Sequence, residues 1–260
     1  MNENLVKYLA GLLDADGSLS FKFRRDDNKD DRYFPSLMLS LHSSAAVDRG
    51  GFVQKLPITT GIGVFSTYGD KRQFYRWDIA KRADLEMLLP RLVKHMVVKA
   101  QHWLWMLELW REKRGTGCNK VEREEIVAAV KRSRILRSGP LHPKNHPTWA
   151  WVAGFLDGDG CYHHFYFERN RCWVSRVGAV SHKNDAHVLT FLQKAFGGYV
   201  REHGQTESCL IWDRNLGPRE RSFALMFLSK IARHARLKRH KIDQIIHNHQ
   251  QRLSAPSPTG

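Results

Sequence analysis

The chain has 260 residues, 42% of them apolar and 11% aromatic with 8 Trp, which excludes a disordered, weakly hydrophobic polymer and leaves room for one large domain or two small ones. Forty-two Lys and Arg against 26 Asp and Glu give a formal charge of +16, a field that favours a polyanionic partner, nucleic acid ahead of an anionic membrane. The 4 Cys include no Cys-x-x-Cys pair, which argues against a disulfide framework and against a cysteine zinc site.

The opening MNENLVKYLAGLLDADG has an apolar stretch too short, and too soon interrupted by acids, for a signal peptide. No segment approaches a membrane-spanning run, so a soluble intracellular protein is expected. Behind Asn4 as a cap, Leu5, Tyr8, Leu9, Leu12 and Leu13 fall at helical spacing up to Asp16. SLSFKFRR follows and alternates Leu19, Phe21 and Phe23 with Ser18, Ser20, Lys22 and Arg24, a strand with one apolar face. Phe52, Val53 and Leu56 then mark a helix that stops at Gly61 and Gly63. A second hairpin over 64–79 and a closing helix through LVKHMVVKAQHWLWMLEL complete this half.

The same succession then recurs. VAGFLDGDG, at 152–160, matches LAGLLDADG, at 9–17, with Ala, Gly, Leu, Asp, Asp and Gly in register. Thr148 caps this helix, and the strand-rich CYHHFYFERNRCWVSRVGAV follows it. Next come a helix carrying Val188, Leu189, Phe191, Leu192 and Phe196, the stop Gly197–Gly198, a hairpin over 199–212, and the closing helix IARHARLKRHKIDQIIHN. Lys99 and Lys238 match at nearly the motif offset. The expected division is a first repeat at 1–110, a surface tether with one helix at 111–147, a second repeat at 148–250 and a disordered tail at 251–260. Each repeat reads αββαββα, an α+β unit whose sheet needs one face covered by helices.

Ala10, Gly11, Ala153 and Gly154 are small enough to let the two motif helices approach closely. Asp16 and Asp159 would then meet where two helix dipoles are negative. Gly17 and Gly160, following the acids, suit a left-handed helix stop. Two such acids repel and raise one pKa unless a divalent cation lies between them, and oxygen-only ligands suit Mg²⁺ best.

On these residues the chain resembles the LAGLIDADG homing endonucleases in their monomeric two-motif form, over nearly its whole length. The resemblance implies a saddle of two antiparallel sheets over the DNA major groove and cleavage of both strands of a long double-stranded site. It makes Asp16 and Asp159 metal ligands, joined by the backbone carbonyls of Ala15 and Gly158. Lys99 and Lys238 resemble the lysine that acts around the attacking water and the scissile phosphate. Mg²⁺ is the implied cofactor, with Mn²⁺ able to substitute and Ca²⁺ expected to bind without cleavage. The position that often orders water in this family departs from its pattern here. His42, Ser44 and Arg49, with Ser181 and His182 in the second half, are the candidates.

A two-stranded ribbon can read base edges in the major groove with every second side chain. In the first half that set is Ser18, Ser20, Lys22 and Arg24, with His42, Lys71, Arg72, Gln73, Tyr75 and Trp77. In the second half, register transfer aims Cys161, His163 and Phe165 at DNA and His164 inward. Either a bulge shifts the strand or this half makes apolar contacts; His163, Arg169, Arg171, Ser175 and Arg201 are the expected contacts. Trp103, Trp105 and Trp110 read as core. His142 with His146 and His247 with His249 read as loop and surface residues rather than zinc ligands. Arg132, Arg134 and Arg137 in the tether are solvated or grip phosphates, at even odds. The competing functions are an RNA maturase acting on its host intron, which shares the need for a basic surface, and an inactive DNA-binding regulator, against which the intact acids and lysines speak.

Overall fold

In the computed structural model, which describes residues 1–26, 32–70, 73–113, 115–138, 148–167, 172–204, 206–216 and 220–254, the first helix α1 runs Glu3–Asp16. Asn2 rather than Asn4 is its cap, accepting the Asn4 N–H at 2.8 Å. Strands β1 (Gly17–Arg25) and β2 (Tyr33–Ser44), helix α2 (Phe52–Thr60) and strands β3 (Val64–Tyr68) and β4 (Phe74–Ile79) follow. The closing segment, expected as one helix, is two: α3 (Arg82–Val93) and α4 (Ala100–Lys113). The second half repeats this order as α6 (Trp149–Gly158), β5 (Gly160–Phe167), β6 (Cys172–His182), α7 (His187–Phe196), β7 (Tyr199–Glu202), β8 (Cys209–Leu216), α8 (Arg221–Ala232) and α9 (Arg239–Ser254). Thr148 caps α6 through the Trp151 N–H at 3.3 Å.

Each half forms a four-stranded antiparallel sheet, ordered β1-β2-β4-β3 and β5-β6-β8-β7. Register decides which face is dry. Leu19 pairs with Leu39, Leu39 with Ile79, and Leu41 with Trp77, and all five side chains are buried. In the second half Tyr162 pairs with Val177 and Ala179 with Trp212, again all buried. Apolar side chains at every second position therefore pin each sheet to the helical layer and leave the alternate residues on the open face.

Between the halves lies α5 (Lys120–Arg132), continued by a 3-10 turn, Ser133–Ser138. An Asn119–Glu122 capping box starts α5. The tether is held to the first sheet by reciprocal backbone hydrogen bonds between Tyr33 and Cys118, 2.8 and 2.7 Å, and by the Arg123 guanidinium 4.9 Å from the Tyr33 ring centre. Of the tail expected as disordered over 251–260, residues 251–254 instead complete α9, and the remainder lies outside the described residues.

Helices α1 and α6 pack face to face along the pseudo-twofold axis. A Cβ on Gly11 would overlap the Trp151 carbonyl, and one on Gly154 would overlap that of Tyr8. Helix propensity alone would favour Ala over Gly by about 1 kcal/mol. Backbone overlap cannot be relieved by a rotamer change, however, and overpacking costs about 1–3 kcal/mol. Gly11→Ala and Gly154→Ala should therefore each lower unfolding stability by about 1 kcal/mol net in a urea titration; a stabilising effect would show that the helix pair can move apart.

Candidate active site at the helix interface

The C-terminal ends of α1 and α6 bring the motif acids together. Asp16 reaches the backbone of the opposite half: a Cβ on Gly158 would lie 3.0 Å from its Oδ2. Among the described residues, neither the Asp16 nor the Asp159 carboxylate accepts a hydrogen bond from the protein. Burial, then the charge of Asp16, raises the Asp159 pKa to about 7, against the opposing pull of Lys99 and Lys238. Burial raises the Asp16 pKa too, opposed by Lys238, Lys99 and His42. Unsatisfied, mutually repelling oxygens at one point form a donor set for a hard cation.

Gly17 and Gly160 follow these acids, but not as left-handed stops. Gly17 is extended (φ −79°, ψ 150°), and Gly160 is not among the positive-φ glycines. Glycine is required because each strand folds straight back over its helix end, where a Cβ would strike the Leu13 or Leu156 carbonyl.

The other acid of each motif has a different task. Asp14, 3% exposed, accepts the Val97 N–H at 2.6 Å, the Lys99 N–H at 2.9 Å and, across the interface, the Trp151 indole N–H at 2.9 Å. Asp157, 1% exposed, accepts the Arg236, Leu237 and Lys238 N–H groups at 2.7, 3.0 and 3.0 Å and the Tyr8 hydroxyl of the opposite half at 2.7 Å. These bonds break each closing helix. The turn before α4 and the turn before α9 give their N–H groups to a carboxylate, so the chain restarts its helix in a new direction. Burial raises the Asp14 pKa, with the Val97 and Lys99 N–H groups opposing.

Those turns deliver the lysines. Lys99 is 6% and Lys238 8% exposed. The Lys99 ammonium donates to the carbonyls of Leu13, Ala15 and Gly17 at 3.0, 2.9 and 2.9 Å. Lys238 donates to those of Leu156, Gly158 and Gly160 at 3.1, 2.7 and 2.6 Å. All three protons of each are thus committed to backbone carbonyls where a motif helix meets its first strand. Burial lowers both pKa values, opposed by Asp14 and Asp157 respectively.

Two cavities flank the acids. One, of about 300 Å³, is lined by Asp159, Lys99, Ser181, His182 and Arg137. The other, of about 320 Å³, is lined by Asp16, Lys238, His42, Ser44 and Tyr68. Each pairs the acid of one half with the lysine of the other. The water-ordering candidates thus lie beside the acids, except Arg49, which lines neither cavity. Burial lowers the His42 pKa, and its Nδ1 lies 2.9 Å from the Tyr68 hydroxyl.

On the open faces, Ser18 pairs with Ser40, Lys22 with Ser36 and His42 with Arg76. Ser18, Lys22 and Arg24 are exposed and Ser20 half-buried. Gln73, just before β4, is also exposed. Trp77 is not on this face: it is fully buried and donates to the Ile62 carbonyl at 3.0 Å. Tyr75, two residues earlier, shares its inward face and packs against Phe65 at 5.6 Å between ring centres. The outward residue is Arg76, paired with Asp78 at 2.6 Å. A signal was available: Trp77–Asp78 repeats as Trp212–Asp213, and Trp212 is fully buried too.

In the second half β5 pairs with β6 without a break from Gly160–Ala179 to Phe167–Cys172, so no bulge reverses the register there. His163 is exposed and pairs with Arg176. Arg201 also lies on the open face, bound to Asp213 at 2.5 Å. His164 faces inward, where its Nδ1 lies 2.8 Å from Ser175 Oγ, which is itself 2.8 Å from His249 Nε2. Ser175, 0% exposed, is therefore a core hydroxyl and not a groove contact. His249 is buried rather than a surface residue. Arg176 is the outward residue that sequence reasoning missed. Lys71, Arg72, Arg169 and Arg171 lie outside the described residues. Trp103 and Trp110 are buried and Trp105 partly so, as expected of core residues.

No protein-family model matches the chain, and no curated protein sequence matches it. Solved structures do match its fold. The I-SmaMI LAGLIDADG homing endonuclease bound to cleaved DNA superposes with a TM-score of 0.68 at 14% identity, over 100% of this chain and 93% of that one. I-GzeII, a LAGLIDADG homing endonuclease in complex with its DNA target, gives 0.64 at 12%, over 97% and 93%. I-SmaMI bound to uncleaved DNA in the presence of calcium ions gives 0.58 at 14%, over 98% and 100%. The chain has the LAGLIDADG homing endonuclease fold from end to end. Among the described residues, no helix is long and apolar enough to cross a membrane.

The Asp159 environment sets a pH dependence. A carboxyl near pKa 4 when unfolded and about 7 when folded binds more protons in the native state between those values, so stability falls as pH rises through that window. Without divalent cation, Asp159→Asn should match the parent chain in melting temperature at about pH 4 and below and exceed it increasingly up to about pH 7, where the difference levels off. A difference independent of pH would contradict the crowding of the two acids.

Proposed function

We propose that the chain is a monomeric homing endonuclease that recognises a long, asymmetric double-stranded DNA site and hydrolyses a phosphodiester bond on each strand with a divalent cation. The observation that carries this reading is the meeting of Asp16 and Asp159, one from each motif, with no donor among the described residues on either carboxylate and a lysine from the opposite half beside each. The charge of +16 and the Lys and Arg on both open sheet faces match a phosphate backbone. The DNA-bound state of I-SmaMI and I-GzeII supports DNA as the partner.

Asp16 and Asp159 would hold the cation, joined by the Ala15 and Gly158 carbonyls, which keep a lone pair beyond the one given to lysine. Mg²⁺ fits this oxygen-only set; Mn²⁺ would substitute, and Ca²⁺ would hold DNA uncleaved, the cation present with uncleaved DNA in I-SmaMI. When bound, such a cation lowers the pKa of a water and neutralises phosphate charge. The chain's own residues do the rest. Asp14 and Asp157 fix the turns, Lys99 and Lys238 lock the motif ends and add positive charge beside the phosphates, and His42, Ser44, Ser181 and His182 border the space that water would occupy. Ser18, Ser20, Lys22, Arg24, Gln73, Arg76, His163, Arg176 and Arg201 would face the groove. An intracellular setting and an intron-borne gene follow from this reading.

Incubation with a randomised duplex library and Mg²⁺, followed by sequencing of the cleaved ends, tests the activity and reveals the site. On that site, Asp16→Asn and Asp159→Asn should each abolish double-strand cleavage, by more than the roughly 10–100-fold loss typical of changes behind a metal ligand, while binding in a gel shift survives. Cutting by the double variant would overturn the assignment. Binding without cutting by the parent chain would point to a regulator, and stimulated splicing of a host intron to a maturase.

A further inference from the structure

We propose that Arg137, carried by the tether, binds the scissile phosphate in one of the two acidic cavities and not in the other, so that one strand depends on it for cleavage. The inference rests on the endonuclease reading above and goes beyond it by making the two strand cuts chemically unequal.

The two cavities hold the same acid–lysine pair but differ in what else enters them. The 3-10 turn Ser133–Ser138 lays Arg137 into the cavity of Asp159 and Lys99, alongside Ser181 and Asp185. Among the described residues no arginine lines the cavity of Asp16 and Lys238, where His42, Tyr68 and Phe74 stand instead. The difference follows from topology. The halves are related by a pseudo-twofold axis, but a single tether joins them, and one segment cannot visit two symmetry-related places.

The side chain is held for this task. Its Nε donates to His102 Nδ1 at 3.4 Å. His102 is 1% exposed, and burial, then the charge of Arg137, lowers its pKa to about 4. It therefore remains a neutral acceptor at physiological pH and anchors the guanidinium at one nitrogen. Among the described residues no ion pair engages Arg137. Asp185 lies in the same cavity and attracts it without closing a salt bridge. Lys99 cannot take this part, because its three protons are already given to backbone carbonyls. Phosphodiester hydrolysis builds negative charge on the non-bridging oxygens. A planar guanidinium anchored at Nε keeps its terminal amino groups for those oxygens, a geometry in which arginine exceeds lysine.

The test uses the full chain and a duplex carrying the site recovered from the library, each strand labelled separately. In Mg²⁺, Arg137→Ala should slow cutting of one strand on the order of ten- to a hundredfold and leave the other within about twofold, so that nicked duplex accumulates; Arg137→Lys should recover part of the loss on the same strand. In Ca²⁺, the slope of log binding constant against log salt should fall by about one. Equal slowing of both strands, the result expected if Arg137 only props up His102 and the fold, would overturn the proposal, as would an unchanged salt slope. A parent chain that cuts neither strand would overturn the endonuclease reading itself, a result distinct from either.

Discussion

Two buried carboxylates, Asp14 and Asp157, hold together everything that the rest of the site depends on. Each sits in the last turn of a motif helix and accepts backbone N–H groups from the turn that precedes the final helix of its own half. Each also accepts one side-chain donor from the opposite half, Trp151 for Asp14 and Tyr8 for Asp157. Tyr8 and Trp151 occupy matching positions in the repeats, so the two locks are the same device applied twice with different aromatic donors. Hydrogen bonds to a charged acceptor contribute about 1.5–3 kcal/mol each, and an orphaned buried carboxylate costs more than that. The halves are thus tied by bonds that become costly if either half shifts.

This constraint explains why one motif contains two aspartates with opposite behaviour. Asp14 and Asp16 are two residues apart on the same helix end. Asp14 is buried and saturated with donors, so it does structural work as an anion. Asp16 and Asp159 lie close enough for the charge of Asp16 to raise the Asp159 pKa and receive no donor from the described residues. The lysines follow the same logic. An ammonium buried to this degree needs all its protons accepted, and the carbonyls where each motif helix meets its strand keep lone pairs that can accept them. Lys99 and Lys238 meet that need at the motif ends, which fixes the backbone beside Asp16 and Asp159.

Much of this was readable in the sequence because it is encoded locally and twice. The LAGLLDADG and VAGFLDGDG segments, the order of strands and helices, and the matched lysines are short-range patterns that duplication separates from chance. What escaped was non-local. LVKHMVVKAQHWLWMLEL has a continuous helical pattern, and only Asp14, more than eighty positions away, reveals that its backbone turns at Val97. Trp77 and Ser175 were misplaced for a related reason. Both are amphipathic residues on strands whose neighbours are polar, and their burial is decided by cross-strand partners and by an indole or hydroxyl finding an acceptor inside. In the second half the period-2 rule was sound, and the doubt came from His164. Its inward position looked costly only while Ser175 and His249 were not known to meet it.

The pseudo-twofold relation is itself limited by chain connectivity. Helices α1 and α6, the paired carboxylates and the crossed lysines can all be duplicated, because each half supplies one copy. A tether cannot be duplicated, and whatever it adds falls on one side. Here it docks on the first sheet through Tyr33, Cys118 and Arg123 and then turns towards the Asp159 cavity, so its placement is fixed by packing rather than by slack. A dimer of two identical repeats would present two equal cavities to a symmetric duplex. A single chain can present unequal cavities to an asymmetric one, and the arginine at the end of the tether is where that inequality reaches the acids.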